Sequence, residues 1–331
     1  MPRPLILITE PIAEIGLKLL QTSCEIRTPW IEGRAFSDED LSEASGIIVR
    51  LVPVTASILN KGRNLKVVGR HGVGLDTVDL VAATARRIPV VYAPLANANA
   101  VAEHTVHLML SVARHTVAGH SAVRESRFSQ RDSLIGMELR QKTLGIVGLG
   151  TIGLRVAEIS RSGFGMKIVG YDPFATLSSS HDFVTRVGSL RELLGQADVV
   201  SLHLPLTPKT YHLINAESLG WMKTSAFLIN TARGAIVDTH SLASALKDSR
   251  LAGAALDVFE EEPLPSKHPL QHTDKVLFSP HIGGSTYEAR EVIAELVARQ
   301  VLQVLKGECP EFLANPQVLR DCSPLREPLN K

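Results

Sequence analysis

Three charged side chains each stand just past a short apolar run. Arg233 follows Leu228-Ile229-Asn230-Thr231-Ala232 and precedes Gly234. Glu262 closes the stretch Leu256-Asp257-Val258-Phe259-Glu260-Glu261-Glu262-Pro263, and His281 lies between Ser279-Pro280 and Ile282-Gly283-Gly284. A guanidinium can hold a carboxylate with two parallel hydrogen bonds and polarise the carbonyl beside it. An imidazole gives or takes a proton near neutral pH, and a neighbouring carboxylate orients it and favours its protonated form. Together they are what redox chemistry on an α-keto or α-hydroxy acid requires, with hydride carried by a nicotinamide. Taken singly, each has a plainer reading: a sheet-end arginine, a solvated acidic loop, one of 12 histidines. Their joint placement after strands, where open α/β sheets bind ligands, is what points to a site.

A glycine cluster supplies the second signal. Leu144-Gly145-Ile146-Val147 reads as a strand, followed by Gly148-Leu149-Gly150-Thr151-Ile152-Gly153 and a helix, with Asp172 at the end of the next strand. Gly148 permits the tight turn, Gly150 lets the backbone approach a pyrophosphate, and Gly153 lets the helix pack on the strand with its positive end toward the phosphates. Asp172 can accept hydrogen bonds from both ribose hydroxyls and would repel a 2′-phosphate. Pro173-Phe174 brings no arginine there, so NAD is expected rather than NADP.

The elements that must position these groups follow an alternating β and α rhythm, the mark of a parallel sheet flanked by helices. In a first series Leu5–Thr9, Gly46–Arg50 and Leu65–Val68 read as strands, and Pro11–Leu20 and Asp79–Arg87 as helices, the second closed by the short run Pro89–Tyr92. A long helix is predicted over Val101–Ala118, with Asn97 and Asn99 as candidate caps, and a loop over His120–Arg140. The second series carries strands at Thr143–Val147, Lys167–Tyr171, Asp198–His203, Ala226–Asn230, Gly253–Val258 and Val276–Ser279. Its helices are expected near Ile152–Phe164, Leu190–Leu194, Ala216–Met222, Ser241–Lys247 and Tyr287–Leu305. Six strands make a complete doubly wound sheet. The first series is shorter, and the chain's C-terminal part is expected to return and complete it, so that one domain is inserted into the other.

The 331 residues divide into about two domains at ~150 residues each. Thirty-five Lys+Arg against 34 Asp+Glu leave a formal charge of +1, and 44% of the residues are hydrophobic. This balance offers no basis for binding nucleic acid or a membrane surface. Cys24, Cys309 and Cys322 are too few and too scattered for a disulfide framework or a cysteine metal site, so a cytoplasmic, reducing setting is expected. No metal is expected, and no apolar run is long enough for a signal peptide or a membrane span.

These segments resemble the D-isomer-specific 2-hydroxyacid dehydrogenases over nearly the whole chain. The carrying motifs are His71-Gly72-Val73-Gly74-Leu75-Asp76, Gly148 to Gly153 with Asp172, Asn230-Thr231-Ala232-Arg233-Gly234, Gly253 to Phe259, and Pro280-His281-Ile282-Gly283-Gly284-Ser285-Thr286. The resemblance implies a bilobed α/β fold of two Rossmann-like domains, with an NAD-binding domain over 99–285 inserted into a substrate domain over 1–98 and 286–331. It implies Arg233 as substrate anchor, His281 as acid and base, and Glu262 as its partner. Gly148, Gly150, Thr151, Ile152, Gly153, Asp172, Thr231, Asp257, Gly283 and Gly284 would serve the cofactor, and Arg50, Val73, Gly74 and Asn97 the substrate. A homodimer joined through the cofactor domain is implied as well.

Within the family the phrase His281 to Thr286 resembles the D-3-phosphoglycerate dehydrogenases, with Arg50 placed to face a substrate phosphate. Leu51-Val52-Pro53 is more apolar than is usual after that arginine, Phe128 replaces a common Trp, and Ala98 and Ala100 replace common hydroxyl residues. The sequence runs about 25 residues past its last expected helix, and no regulatory domain is expected there. A reductase of hydroxypyruvate or glyoxylate is the alternative. A formate dehydrogenase would carry Gln where Glu262 stands, and S-adenosylhomocysteine hydrolases lack the Arg/Glu/His set. An NAD-sensing corepressor that keeps the same residues is the alternative from another functional class.

Overall fold

The computed structural model describes residues 2–319. The chain folds into two compact units, one built from the residues up to Asn97 and again from Ser285 onward, the other from Ala98–Gly284.

The first unit begins β1 (Leu5–Ile8), α1 (Glu14–Gln21), β2 (Glu25–Arg27), α2 (Asp38–Glu43) and β3 (Gly46–Val49), and continues α3 (Ala56–Lys61), β4 (Val67–Arg70), α4 (Leu80–Ala85) and β5 (Val90–Val91). Its sheet runs β2-β1-β3-β4-β5 with every pairing parallel. Strands this apolar must be covered on both faces. Ile6, Ile8, Ile48 and Val67 pack on one side, Leu7, Ile47, Val49 and Val68 on the other.

The second unit opens with α5 (Ala98–Ala113) and α6 (Thr116–Arg124), then alternates β6 (Thr143–Val147), α7 (Thr151–Phe164), β7 (Lys167–Tyr171), β8 (Val184–Arg186), α8 (Leu190–Gln196) and β9 (Val199–Leu202). It closes with α9 (Ala216–Leu219), β10 (Phe227–Asn230), α10 (Thr239–Lys247), β11 (Gly253–Leu256) and β12 (Val276–Phe278). The order β12-β11-β10-β9-β6-β7-β8 is again all parallel. Successive residues serve opposite faces: Leu228 joins a cluster with Leu193 and Leu242, while Ile229 joins Met109 and Val156. The chain winds one way from β6 through β8 and the other from β9 through β12, so β6 and β9 flank the switch point where such sheets bind ligands. The chain then re-enters the first unit as α11 (Tyr287–Leu305), whose Val297 and Val301 cover that sheet.

Several expectations are corrected. The first unit completes its sheet with β2, which the sequence reading missed, and the returning segment adds a helix. The second sheet has seven strands, β8 being the addition. The helix expected over Val101–Ala118 stops at Ala113, whose carbonyl accepts the Met137 N–H at 2.7 Å, and His115 enters the left-handed region at φ 50°. Asn99 lies inside α5 and donates to Glu103 rather than capping the helix. The stretch expected as a loop contains the end of α6 and a 3₁₀ segment, Phe128–Ser133. Cys24 is a buried free thiol, whereas Cys309 is disulfide-bonded, which corrects the expectation of cysteines kept reduced. Cys322 lies outside the described residues. Among them, no helix is long and apolar enough to cross a membrane.

Candidate active site

Arg233, Glu262 and His281 follow three neighbouring parallel strands, β10, β11 and β12, so all three leave the sheet at its C-terminal edge. Each is held by its own local device. Asn230, 1% exposed, donates from Nδ2 to the Arg233 carbonyl at 2.9 Å and accepts the Ala232 N–H at 3.0 Å, folding the turn that carries the arginine. Gly234 is obligatory there, because a Cβ would lie 1.8 Å from the Phe259 carbonyl carbon. Arg233 itself donates from Nη1 to the Ala232 carbonyl at 2.7 Å.

Glu262 uses both carboxylate oxygens. Oε1 accepts the Phe259 N–H at 3.0 Å, and Oε2 lies 2.6 Å from His281 Nδ1. A carboxylate can only accept, so the ring proton sits on Nδ1. Nε2 is then the nitrogen left for proton exchange with a ligand.

His281 projects from a left-handed backbone position, φ 53°. Its N–H donates to the Asp257 carbonyl at 2.8 Å, and the next two amides, of Ile282 and Gly283, donate to the Asp257 carboxylate at 3.0 and 2.8 Å. Asp257 is 1% exposed. Burial works against its charge, but hydrogen bonds from His104, Ser279 and the two amides outweigh that and hold the carboxyl below its ordinary range.

The glycine turn sits beyond β6. Gly148 takes φ 96°, and a Cβ on it would meet the His203 carbonyl oxygen at 2.2 Å. A Cβ on Gly153 would meet the Gly148 carbonyl oxygen at 2.1 Å, whereas Gly150 has nothing within 4 Å. Helix α7 opens at Gly150 without a side-chain cap, so Thr151 and Ile152 in its first turn meet a ligand with backbone N–H groups and the positive end of the helix dipole. Open space at Gly150 beside uncapped amides fits a dinucleotide pyrophosphate. Asp172 follows β7 with its carboxylate partly engaged: Oδ2 accepts the Leu149 N–H at 2.9 Å, Oδ1 those of Phe174 and Ala175 at 2.8 and 3.1 Å. Pro173-Phe174 brings no arginine here, but a strand neighbour does. Arg186, on β8, donates to the Asp172 backbone carbonyl at 2.9 Å.

Thr231 is nearly buried and its hydroxyl meets Thr105 of α5 at 2.8 Å. Gly283 lies against Asp257, where a Cβ would come within 3.0 Å of Oδ2.

In the first unit Arg50 follows β3, His71 and the Val73-Gly74 pair follow β4, and Asn97 is the last residue before α5. Glu10, which the sequence reading did not single out, caps the Arg50 loop. Its carboxylate accepts the N–H groups of Arg50 at 2.7 Å, Leu51 at 2.8 Å and Val52 at 3.2 Å. His71 is 4% exposed. Burial pushes its imidazole down to about 4, and the charges of Arg50, Arg70 and Arg290 push the same way. Burial and Arg290 likewise lower Arg50.

Residues 106–283 match the family profile "D-isomer specific 2-hydroxyacid dehydrogenase, NAD binding domain". A glyoxylate reductase of Thermofilum pendens is 41% identical over 97% of this chain and 97% of its own. The chain belongs to the D-isomer-specific 2-hydroxyacid dehydrogenases. A D-3-phosphoglycerate dehydrogenase of Methanocaldococcus jannaschii is 40% identical over 94% of this dehydrogenase, which spans 59% of that relative's length. The solved structure of the TT0316 protein from Thermus thermophilus superposes with a TM-score of 0.85 at 36% identity, covering 94% of this chain and 99% of that one. The dehydrogenase is thus an NAD-dependent oxidoreductase of the CH–OH class acting on small hydroxy or keto acids, and its second unit contains the Rossmann-like NAD-binding domain.

Proposed function

We propose that this dehydrogenase interconverts a short D-2-hydroxy acid and its 2-keto acid, with Arg233, Glu262 and His281 as its working side chains. The observation that carries this reading is the 2.6 Å contact of Glu262 with His281 Nδ1 at the strand edge that also presents Arg233. NAD, when bound, supplies or accepts the hydride. Gly148, Gly150, Thr151, Ile152 and Gly153 receive its pyrophosphate and Asp172 its ribose. Thr231, Asp257, Gly283 and Gly284 line the nicotinamide end.

Arg233 binds the substrate carboxylate and draws electron density from the adjacent carbonyl. In the reductive direction His281 Nε2–H would donate its proton to the carbonyl oxygen. The imidazolium needed for that step is stabilised by Glu262, and the neutral ring takes the proton back in the oxidative direction.

From the first unit, Arg50, Val73, Gly74 and Asn97 serve the substrate. Positive charge on Arg50, Arg70 and Arg290 around His71 in the first unit favours an anionic ligand, which supports a phosphorylated three-carbon acid. The full-length likeness to a glyoxylate reductase supports the second reading, an unphosphorylated short keto acid. NADH oxidation against 3-phosphohydroxypyruvate, hydroxypyruvate, glyoxylate, pyruvate and a branched keto acid decides between them. Absence of turnover with all five, alongside tight NADH binding, would overturn the enzymatic reading in favour of an NAD-sensing binding protein.

A homodimer joined through the second unit is part of the same proposal. Val117, Val123, Phe128 and Ile135 expose 56, 62, 65 and 82% of their surface, an apolar stretch that a second copy would cover. Light scattering tests it.

A further inference from the structure

We propose that His104 is a positioning residue which, through Ser279 and Asp257, sets the backbone turn from which His281 projects. The inference rests on His281 being the group that moves the proton.

Three successive amides, those of His281, Ile282 and Gly283, converge on Asp257, the first of them shared with the Ser279 carbonyl at 3.1 Å. A left-handed conformation at a non-glycine residue costs about 1–3 kcal/mol and persists only where the surroundings over-determine it. Asp257 is that determinant, so any shift of its carboxylate is passed to His281. The carboxylate lies out of reach of solvent, and its remaining capacity goes to the Ser279 hydroxyl, which donates to Oδ1. Ser279 has spent its only proton on that bond, so its oxygen accepts from His104 Nε2–H, 2.8 Å away; the same nitrogen lies 3.3 Å from Asp257 Oδ1. A methyl group on Gly283 would touch both Asp257 Oδ2 and the His104 ring, at 3.0 and 3.5 Å, so the assembly has no slack. His104 comes from α5, an element unrelated to the turn in sequence. It ties helix to strand ends at the one point where the proton-transfer geometry is set, and it faces a hydroxyl and a carboxylate that are both committed, so it relays no proton of its own.

The test is His104→Phe in the full chain. The expected result is a fall in kcat of at least about tenfold, as small misplacements of a reacting group produce, with KM for the keto acid and NADH affinity by fluorescence titration within about twofold. The solvent deuterium isotope effect on kcat should rise, because transfer from a mis-set His281 becomes the slow step. His104→Gln restores an N–H donor at a similar reach and should recover most of kcat. Should His104→Phe fail to fold, Ser279→Ala, which removes only the bridging hydroxyl, carries the same expectation. Wild-type kcat in these variants, a Gln variant as impaired as Phe, or KM and NADH affinity worsening in step with kcat would each overturn the proposal. His281→Ala separates the layers. If it keeps turnover, the role of His281 itself has failed; if it is inactive while His104→Phe is fully active, only the positioning role falls.

Discussion

Glu262 reaches His281 from the neighbouring strand with one oxygen and the Phe259 amide with the other, at 2.6 and 3.0 Å. The amide bond fixes the carboxylate plane, and the carboxylate fixes the ring. With side chains 37 and 54% exposed, the pair adds little to stability; its value lies in orientation and charge.

Glu262→Gln keeps the shape and removes the charge. Turnover should fall about 10²-fold, the lower end of what general acid–base catalysis contributes, while NADH affinity and melting temperature stay near wild type. Steady-state kinetics with a cofactor titration check this; an unchanged kcat would mean the carboxylate charge is not used.

Two glycines of the cofactor turn should respond differently to the same methyl group. Gly153→Ala drives a Cβ to 2.1 Å from the Gly148 carbonyl oxygen, and overpacking of that kind costs about 1–3 kcal/mol or more. Its melting temperature should drop together with NADH binding. Gly150→Ala meets nothing within 4 Å, so thermal unfolding should hardly move while the NADH dissociation constant rises about tenfold or more. A stable Gly150→Ala protein that binds NADH normally would place the pyrophosphate elsewhere.

On the proposed reading Asp172 sets the choice between NAD and NADP, and Arg186 beside it bears on the outcome. Asp172→Ser removes a charge that repels a 2′-phosphate and leaves the Arg186 guanidinium in place, so NADPH affinity should improve about tenfold relative to NADH. Adding Arg186→Ala should cancel most of that gain. Losing a carboxylate that accepts three amides should also cost roughly 1–3 kcal/mol of stability. Binding constants for both cofactors across the three proteins are the measurement.

Acid sensitivity should arise partly at His71. Its folded-state value of about 4 lies below the ordinary 6.5, so between those values the unfolded chain holds more protons and stability declines as pH falls. The gap corresponds to about 3 kcal/mol. His71→Leu lacks this loss and should gain on wild type steadily from pH 6.5 down to 4, then run parallel below. Urea unfolding at several pH values reads the difference; a constant offset would mean that His71 titrates alike in the folded and unfolded chain.

Much was legible in the sequence because it depends on neighbours along the chain. Strands β6 and β7 and helix α11 match their expected bounds, since continuous apolar runs and a long amphipathic period need no context. The Gly148–Gly153 turn, Asp172, and the placement of Arg233, Glu262 and His281 after strands are local for the same reason. Strands β2 and β8 escaped notice: each is a three-residue strand at a sheet edge, with exposed positions in Glu25, Thr185 and Arg186, and so carries no buried pattern. Glu10 capping the Arg50 loop, Arg186 reaching Asp172, and His104 behind Ser279 and Asp257 were invisible. Each joins residues 14 to 175 positions apart, and only the parallel stacking of strands and the packing of α5 against their ends brings those atoms within a hydrogen bond. The sequence by itself thus determined which chemistry the chain carries, because residue types and local spacing settle it. Which groups hold that chemistry in place was decided by the tertiary structure, because a hydrogen bond depends on distance in space.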